Sequence, residues 1–310
     1  MKVSPSSSNL GQNRSAKIAA RRDYPWLIPL PGFAFLALLT FPPLFYALYL
    51  AFVNIDSSLP DRPVRFVFLD NFISVLFQNA GQQAILTTGL LSFGATILAI
   101  TVGTLVAYLL FTYAGRWTTP LTVLILVPMS VSPVAMALVF SLILNPLYGP
   151  LPQTINQLGG PLIAVTASPF GAILTIICAQ AWQWSPLAVV LLLGGIQSLP
   201  RSPFEAASLD GATSWQLFRF VMLPLLRPII AVTALFEFIL CSQLFAAAQL
   251  LTNGGPGNAT TDLSFYIYKI GVADAGRISQ AAAAGLIALI GAIIVANVWL
   301  RVSKWEDRIY

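Results

Sequence analysis

Apolar residues run through this chain in membrane-length blocks separated by short polar connections, so the hydrophobic pattern predicts the elements directly. A helix that crosses a bilayer takes roughly 20 apolar residues. Six blocks qualify: residues 26–53, 84–113, 120–144, 170–195, 229–251 and 281–300. The pattern predicts an all-α integral membrane protein with six transmembrane helices. Within the blocks, Pro42-Pro43 is expected to kink or interrupt the first span, and Pro186 to free a backbone carbonyl of the fourth. Gly94 and Gly103 allow a close approach of the second span to a neighbour.

The connections are equally readable. Residues 56–70 carry three aspartates, two arginines and several prolines, an external connection. Asn145-Pro146-Leu147-Tyr148-Gly149-Pro150 ends the third span, and the Gly/Pro/Asn-rich piece up to Pro169 is an external or interfacial loop. Thr252 to Gly257, TNGGPG, turns the chain outside after the fifth span. Residues 202–228 form a polar island between two membrane-length apolar runs. There Ser202, Pro203 and Glu205 occupy the N-cap, N1 and N3 positions of a short helix with a capping box. Ala206, Ala207 and Ser208 keep one side small, and Gly211 supplies the left-handed residue that ends it. A second helical pattern runs through Trp215, Phe218, Val221 and Met222 until Pro224 and Pro228. The island thus reads as helix, sharp turn, helix, and a two-turn helix of small residues is shaped for a groove on another protein.

Composition agrees with lipid as the solvent. The 310 residues are 57% hydrophobic and 9% charged, too few charges to cover a soluble globule of this size. The net charge of +5 does not call for nucleic acid, because its distribution follows the positive-inside rule. Lys2, Arg14, Lys17, Arg21, Arg22, Arg116, Arg201, Arg219, Arg227, Arg301, Lys304 and Arg308 fall on the side assigned to the cytoplasm, against Arg62, Arg65, Lys269 and Arg277 outside. Residues 1–25 form a basic, Ser-rich cytoplasmic tail, followed by one membrane domain over 26–310. The first span is about twice the length of a signal-peptide core and has no small-residue cleavage pattern, so it is expected to stay. Both termini are then cytoplasmic. Cys178 and Cys241 sit in apolar runs and imply neither a disulfide framework nor a metal. The chain has no histidine for zinc ligation or general-base chemistry.

Glu205-Ala206-Ala207, Asp210-Gly211-Ala212, Leu223-Pro224 and Pro228 together resemble the EAA coupling motif of membrane subunits in binding-protein-dependent ABC importers. The order of spans is similar to the maltose-type sugar permeases across nearly the whole chain. This resemblance implies the type I importer permease fold, with Glu205, Ala206, Ala207, Asp210, Gly211, Leu223 and Pro224 coupling to an ATPase. It implies a homologous second permease, two ATPase subunits and an external substrate-binding protein, in a bacterial or archaeal cytoplasmic membrane. Asn253, Gly254, Gly255 and Pro256 resemble the family's signature on the loop facing the binding protein. No GxxxxGK[ST] phosphate loop occurs, so ATP and Mg are expected on the partner and no cofactor on this chain. For Glu205 alone, capping and an ion pair to a partner both stand.

The candidate pathway comes from periodicity. Glu237 is the only charge inside a span, where charge is costly. At about 100° per residue, Glu237, Cys241, Leu244 and Ala248 share one stripe of the fifth span. Gln180, Gln183, Trp184 and Leu187 form a second stripe on the fourth. Amides, a carboxylate and an indole are the groups that line sugar sites. The resemblance places Gln180, Gln183, Trp184 and Leu187, with Glu237, Leu240, Cys241 and Leu244, where maltose-type permeases hold sugar, although the residue types differ. The stripes also suit helix packing, and Glu237 suits a protonated or partner-paired carboxyl. A carboxylate on the path disfavours an organic phosphate, so a sugar, glycoside or polyol is expected ahead of glycerol phosphate. A membrane-embedded enzyme is the remote alternative, since it needs a nucleophile with a base or paired carboxylates.

Overall fold

The computed structural model describes residues 29–56, 61, 63–161, 164–274 and 276–303. The tail expected over 1–25, with Lys2, Arg14, Lys17, Arg21 and Arg22, lies outside the described residues, as do Arg62, Lys304 and Arg308. Among the described residues the structure is helical, its only extended pairing being the antiparallel bridge of Val53 with Phe66. The described residues up to Tyr49 and those from Leu50 onward form two compact units.

In the first unit, helix α1 starts at Leu30 and continues to Ala51. Its apolar side chains up to Tyr49 are nearly all exposed, which suits contact with lipid or another apolar surface. Pro42 and Pro43 do not interrupt it.

In the second unit, α2 (Asp70–Phe77) precedes α3 (Asn79–Leu109), and a π turn at Leu110–Ala114 leads to a reversal at Gly115. Then follow α4 (Thr118–Ile125), α5 (Val127–Ser130), α6 (Pro133–Ile143), α7 (Pro150–Gln157) and α8 (Pro169–Ser198). After α9 (Ser202–Leu209), a helical run from Ser214 passes through a π turn at Leu217–Met222 into α10 (Leu223–Cys241). The chain closes with α11 (Leu263–Tyr268) and α12 (Ile278–Ser303).

Five of these runs are long and apolar enough to cross a membrane. The expected third span differs. It is delivered in pieces, α4, α5 and α6, separated at Leu126 and at Val131-Ser132. Pro128 and Pro133 withhold amide donors there, and Ser132 caps α6 by accepting from the Ala135 amide at 3.2 Å. The fifth span also ends early, at Cys241, and a short turn at Phe245–Ala247 and a π turn at Ala248–Thr252 complete it. Pro224 and Pro228 do not end the preceding helix as expected, because Pro224 falls in the first turn of α10, directly after the π turn.

The core is the packing of α3, α8 and α10. A Cβ on Gly94 would lie 2.6 Å from Ile177, and one on Gly103 would overlap the Ala188 Cβ, so α3 and α8 run parallel at close range. Gly195 faces Ile229, while the Gln180 side chain meets the Gln243 carbonyl, so α8 and α10 are antiparallel. The Trp299 indole donates to the Ala231 carbonyl at 2.7 Å and sets the end of α12 beside the start of α10. Arg116, Arg201, Arg219, Arg227 and Arg301 therefore gather at one end of the bundle. Lys269 and Arg277 lie at the other, the asymmetry a membrane orientation requires.

Candidate functional site

The polar island is built at the cationic end. Its helix α9 is closed by Gly211, whose φ of 81° is the left-handed conformation expected there. The Ala212 amide reaches back to the Ala207 carbonyl at 3.0 Å, and the Gly211 amide to Ser208 at 3.1 Å, which satisfies the last carbonyls of the helix. The start differs from expectation. Arg201, not Ser202, holds the N-cap position, and no side chain caps that end. The Glu205 amide is already bonded to the Arg201 carbonyl at 3.0 Å, so Ser202 lies inside the first turn and its hydroxyl is out of reach. The capping box sits instead at Thr213 and Gln216, where the Gln216 carboxamide accepts from the Thr213 amide at 2.8 Å. Glu205 is exposed and does not cap its helix.

The island is tied to the core on one face only. Phe204 and Phe218 pack into the cluster of Ala188, Leu192, Met222 and Leu226, and the Tyr108 ring lies 4.5 Å from Phe218. Leu209, Trp215 and Phe220 are exposed at 89%, 65% and 71%, with the Trp215 ring 5.4 Å from Phe218. Between them a groove of about 330 Å³ is lined by Ala207, Asp210, Gly211, Ala212, Gln216, Phe220 and Val221. Of the seven predicted coupling residues, Ala207, Asp210 and Gly211 line this groove, Glu205 and Ala206 are exposed within one turn of it, and Leu223 and Pro224 are half-buried just beyond Val221.

The two stripes meet inside the bundle. Gln180, Gln183, Glu237, Cys241 and Leu244 are buried, and Trp184, Leu187 and Leu240 are half-buried. Each glutamine is engaged at a break in another span. Gln180 donates to the Gln243 carbonyl at 3.1 Å, just beyond the end of α10, and accepts from the Trp184 indole at 3.1 Å. Gln183 donates to the Val131 carbonyl at 2.7 Å, in the gap between α5 and α6. A carbonyl freed by a helix break inside a membrane must find a donor, and these amides supply it. The Cys241 thiol lies 3.9 Å from Glu237 Oε2. Ser92 Oγ, Gln183 Oε1 and Glu237 Oε1 are buried without a hydrogen-bond partner. In this conformation Glu237 is fully buried among α3, α8 and α10.

The expected outer loop is a folded turn. Asn253 is exposed with φ 49°, Gly254 is buried, and Gly255 and Pro256 are half-buried. The Thr252 and Thr260 hydroxyls are 2.7 Å apart, Thr260 donates to the Gly255 carbonyl at 2.9 Å, and the Gly254 amide donates to Ala248 at 2.9 Å. The sequence pattern missed Asp262, which is fully buried and caps α11 by accepting from the Ser264 and Phe265 amides at 2.8 and 3.3 Å. Its position directly before an apolar helix was the available signal. Burial pushes the Asp262 carboxyl above its ordinary range, against the pull of those two amides.

Residues 99–304, which hold α9, its turn and the core of α8 and α10, match the family model described as binding-protein-dependent transport system inner membrane component. The chain belongs to this family. Among curated relatives of the permease is the trehalose/maltose transport system permease protein of Thermococcus litoralis, 31% identical over 219 residues, 69% of this chain and 73% of that one. Another is the sulfoquinovosyl glycerol transport system permease protein of Agrobacterium fabrum, 29% identical over 91% of this chain and 90% of that one. The permease also shares its fold with a chain of a bacterial ABC transporter involved in the import of the acidic polysaccharide alginate. That match has a TM-score of 0.78 at 22% identity and covers 96% of this chain and 99% of the other. The six-span importer expectation is met in fold, with the third span broken as described.

Proposed function

We propose that this permease imports a sugar or sugar-like solute, driven by ATP hydrolysis on separate subunits that grip α9. The observation that carries the coupling role is the one-sided anchoring of the island: Phe204 and Phe218 in the core, Leu209 and Trp215 free for a partner. The partners are a homologous second permease, two ATPases that hold ATP and Mg, and an external binding protein over the turn at Asn253–Pro256. Both termini face the cytoplasm. Glu205, released from capping, pairs with a cation of the ATPase, and a push on α9 reaches α8 and α10 through Phe204.

Sugar as the cargo rests on the relatives, which include permeases of trehalose/maltose, lactose and sulfoquinovosyl glycerol transport systems. Gln180, Gln183, Trp184 and Leu187, with Glu237, Leu240, Cys241 and Leu244, form the wall that opens when α8 and α10 separate. The helix breaks at Val131 and Gln243 beside the two glutamines support that reading, since broken helices mark binding sites in transporters.

The test is uptake of radiolabelled sugars by the complete assembly in proteoliposomes with its binding protein. Saturable, ATP-dependent uptake of a sugar is expected. Uptake of glycerol phosphate with no sugar transported would refute the cargo. Glu237→Gln probes the wall: unchanged uptake and solute preference would remove Glu237 from the pathway.

A further inference from the structure

We propose a second carbohydrate subsite at the outer end of the bundle, between the start of α3, the Asn258 turn and α11, which receives the solute before it reaches the α8 stripe. It rests on the sugar reading above. A cavity of about 150 Å³ is lined by Gln83, Asn258, Thr261, Tyr266, Lys269 and Asp274, with small or apolar residues for the remainder. Gln83 is shared with an adjoining open groove of about 540 Å³ whose polar lining is Asn79, Gln82 and Thr87. Four amide side chains, a lysine, a carboxylate and a phenol thus line the two spaces that Gln83 borders.

The polar groups of these spaces are largely unspent. The Gln83 amide makes one long contact to the Gly257 carbonyl at 3.5 Å. The Lys269 ammonium sits 5.4 Å from the Phe265 ring centroid and, among the described residues, makes no ion pair, although Asp274 lines the same cavity. An unpaired donor and an unpaired carboxylate on one small cavity match a neutral polyhydroxylated ring, whose hydroxyls both donate and accept. An ion of either sign would meet its like charge.

The walls are also rigid. Asn258 holds φ at 63°, and its carboxamide oxygen accepts from the Thr261 hydroxyl at 3.3 Å. The Gly254 carbonyl lies equally near that one hydroxyl proton, at 3.3 Å, so Thr261 ties the Asn258 amide to the packed turn before any ligand arrives. Ile173 floors the groove, and Gln180 lies seven residues further along α8. That is about 10 Å inward along the helix axis.

The probe is a membrane-impermeant maleimide on the assembly in proteoliposomes carrying Gln83→Cys, an exposed helical position, with labelling of wild type subtracted. Maltose, trehalose and lactose are the sugars, each first tested for uptake. A transported sugar is expected to slow labelling at least about 3-fold, and a sugar that is not transported to leave it alone. Adding Lys269→Met and Asp274→Asn should abolish the protection, because hydrogen bonds to charged groups carry most of a neutral ligand's affinity. Leu147→Cys, exposed and outside the lining of either space, should label at the same rate throughout. Uptake of a sugar with no protection of Q83C, or protection that survives the double substitution, overturns the subsite and leaves the cargo reading standing. Uptake of glycerol phosphate with none of the sugars transported refutes the cargo reading and the subsite with it.

Discussion

Gly211 is the sharpest point at which to test the lever. Its φ of 81° lies in the left-handed region, and a Cβ there would meet nothing within 4 Å, so substitution carries backbone strain and no steric clash. For an L-residue that strain costs about 1–2 kcal/mol. At 1.4 kcal/mol per factor of ten, Gly211→Ala should reduce the population of the closed turn about 5- to 30-fold. The loss falls on the bonds from the Gly211 and Ala212 amides to Ser208 and Ala207, which hold α9 at a fixed angle to the next helix. Gly211→Asn should recover most of the loss, since asparagine tolerates this region. Gly211→Pro, locked near −65°, should abolish the turn. The assay is solute-stimulated ATP hydrolysis and uptake in proteoliposomes, titrated with the ATPase subunit. The apparent affinity for the ATPase should fall in the order Gly, Asn, Ala, Pro while the thermal midpoint of the membrane domain stays put. If Gly211→Pro assembles and transports like wild type, α9 is not a lever.

Other substitutions test the core. Gly103→Ala should destabilise by about 1–3 kcal/mol, seen as a lower thermal midpoint in detergent, because its Cβ overlaps Ala188. Gly89→Ala, with nothing within 4 Å, should instead gain up to about 1 kcal/mol from helix propensity. Gln180→Leu loses two hydrogen bonds and orphans the Gln243 carbonyl, a cost of about 2–4 kcal/mol, which should lower the midpoint by about 5–15 °C. An unchanged midpoint would mean that the break after Cys241 needs no clamp. For Asp262, burial raises the folded carboxyl above its unfolded value, so the folded state holds the proton more tightly. Stability from this group is full below the ordinary carboxylate range and declines as pH rises towards the raised value. Asp262→Asn should flatten that slope, and a wild-type midpoint that rises through the same window would refute the assignment.

Particular residues show why some features were legible and others were not. The helical spans were readable because lipid requires every backbone group to be paired within its own segment, which makes length and hydropathy sufficient. The turn at Gly211 was readable because its cause is one residue's own backbone freedom. The choice of capping box was not. Ser202-x-x-Glu205 and Thr213-x-x-Gln216 satisfy the same local rule, and what separates them is the conformation of Arg201, which leads the chain out of α8 already helical. The breaks at Val131 and Gln243 were hidden inside apolar runs, since their orphan carbonyls are satisfied by glutamines 52 and 63 residues away.

The one-dimensional order of residues was therefore enough to place this chain in a membrane, to find its helix-turn-helix island and to group the polar positions of α8 and α10 into stripes. Those properties follow from local periodicity and from single residues. Packing alone decided how the polar groups are used: Gln180 and Gln183 close gaps in neighbouring helices, Glu237 is enclosed, and Gln83 shares one cavity with Lys269 and Asp274, which lie far from it along the chain. A hydrogen bond depends on distance in space, and only the packed helices set that distance.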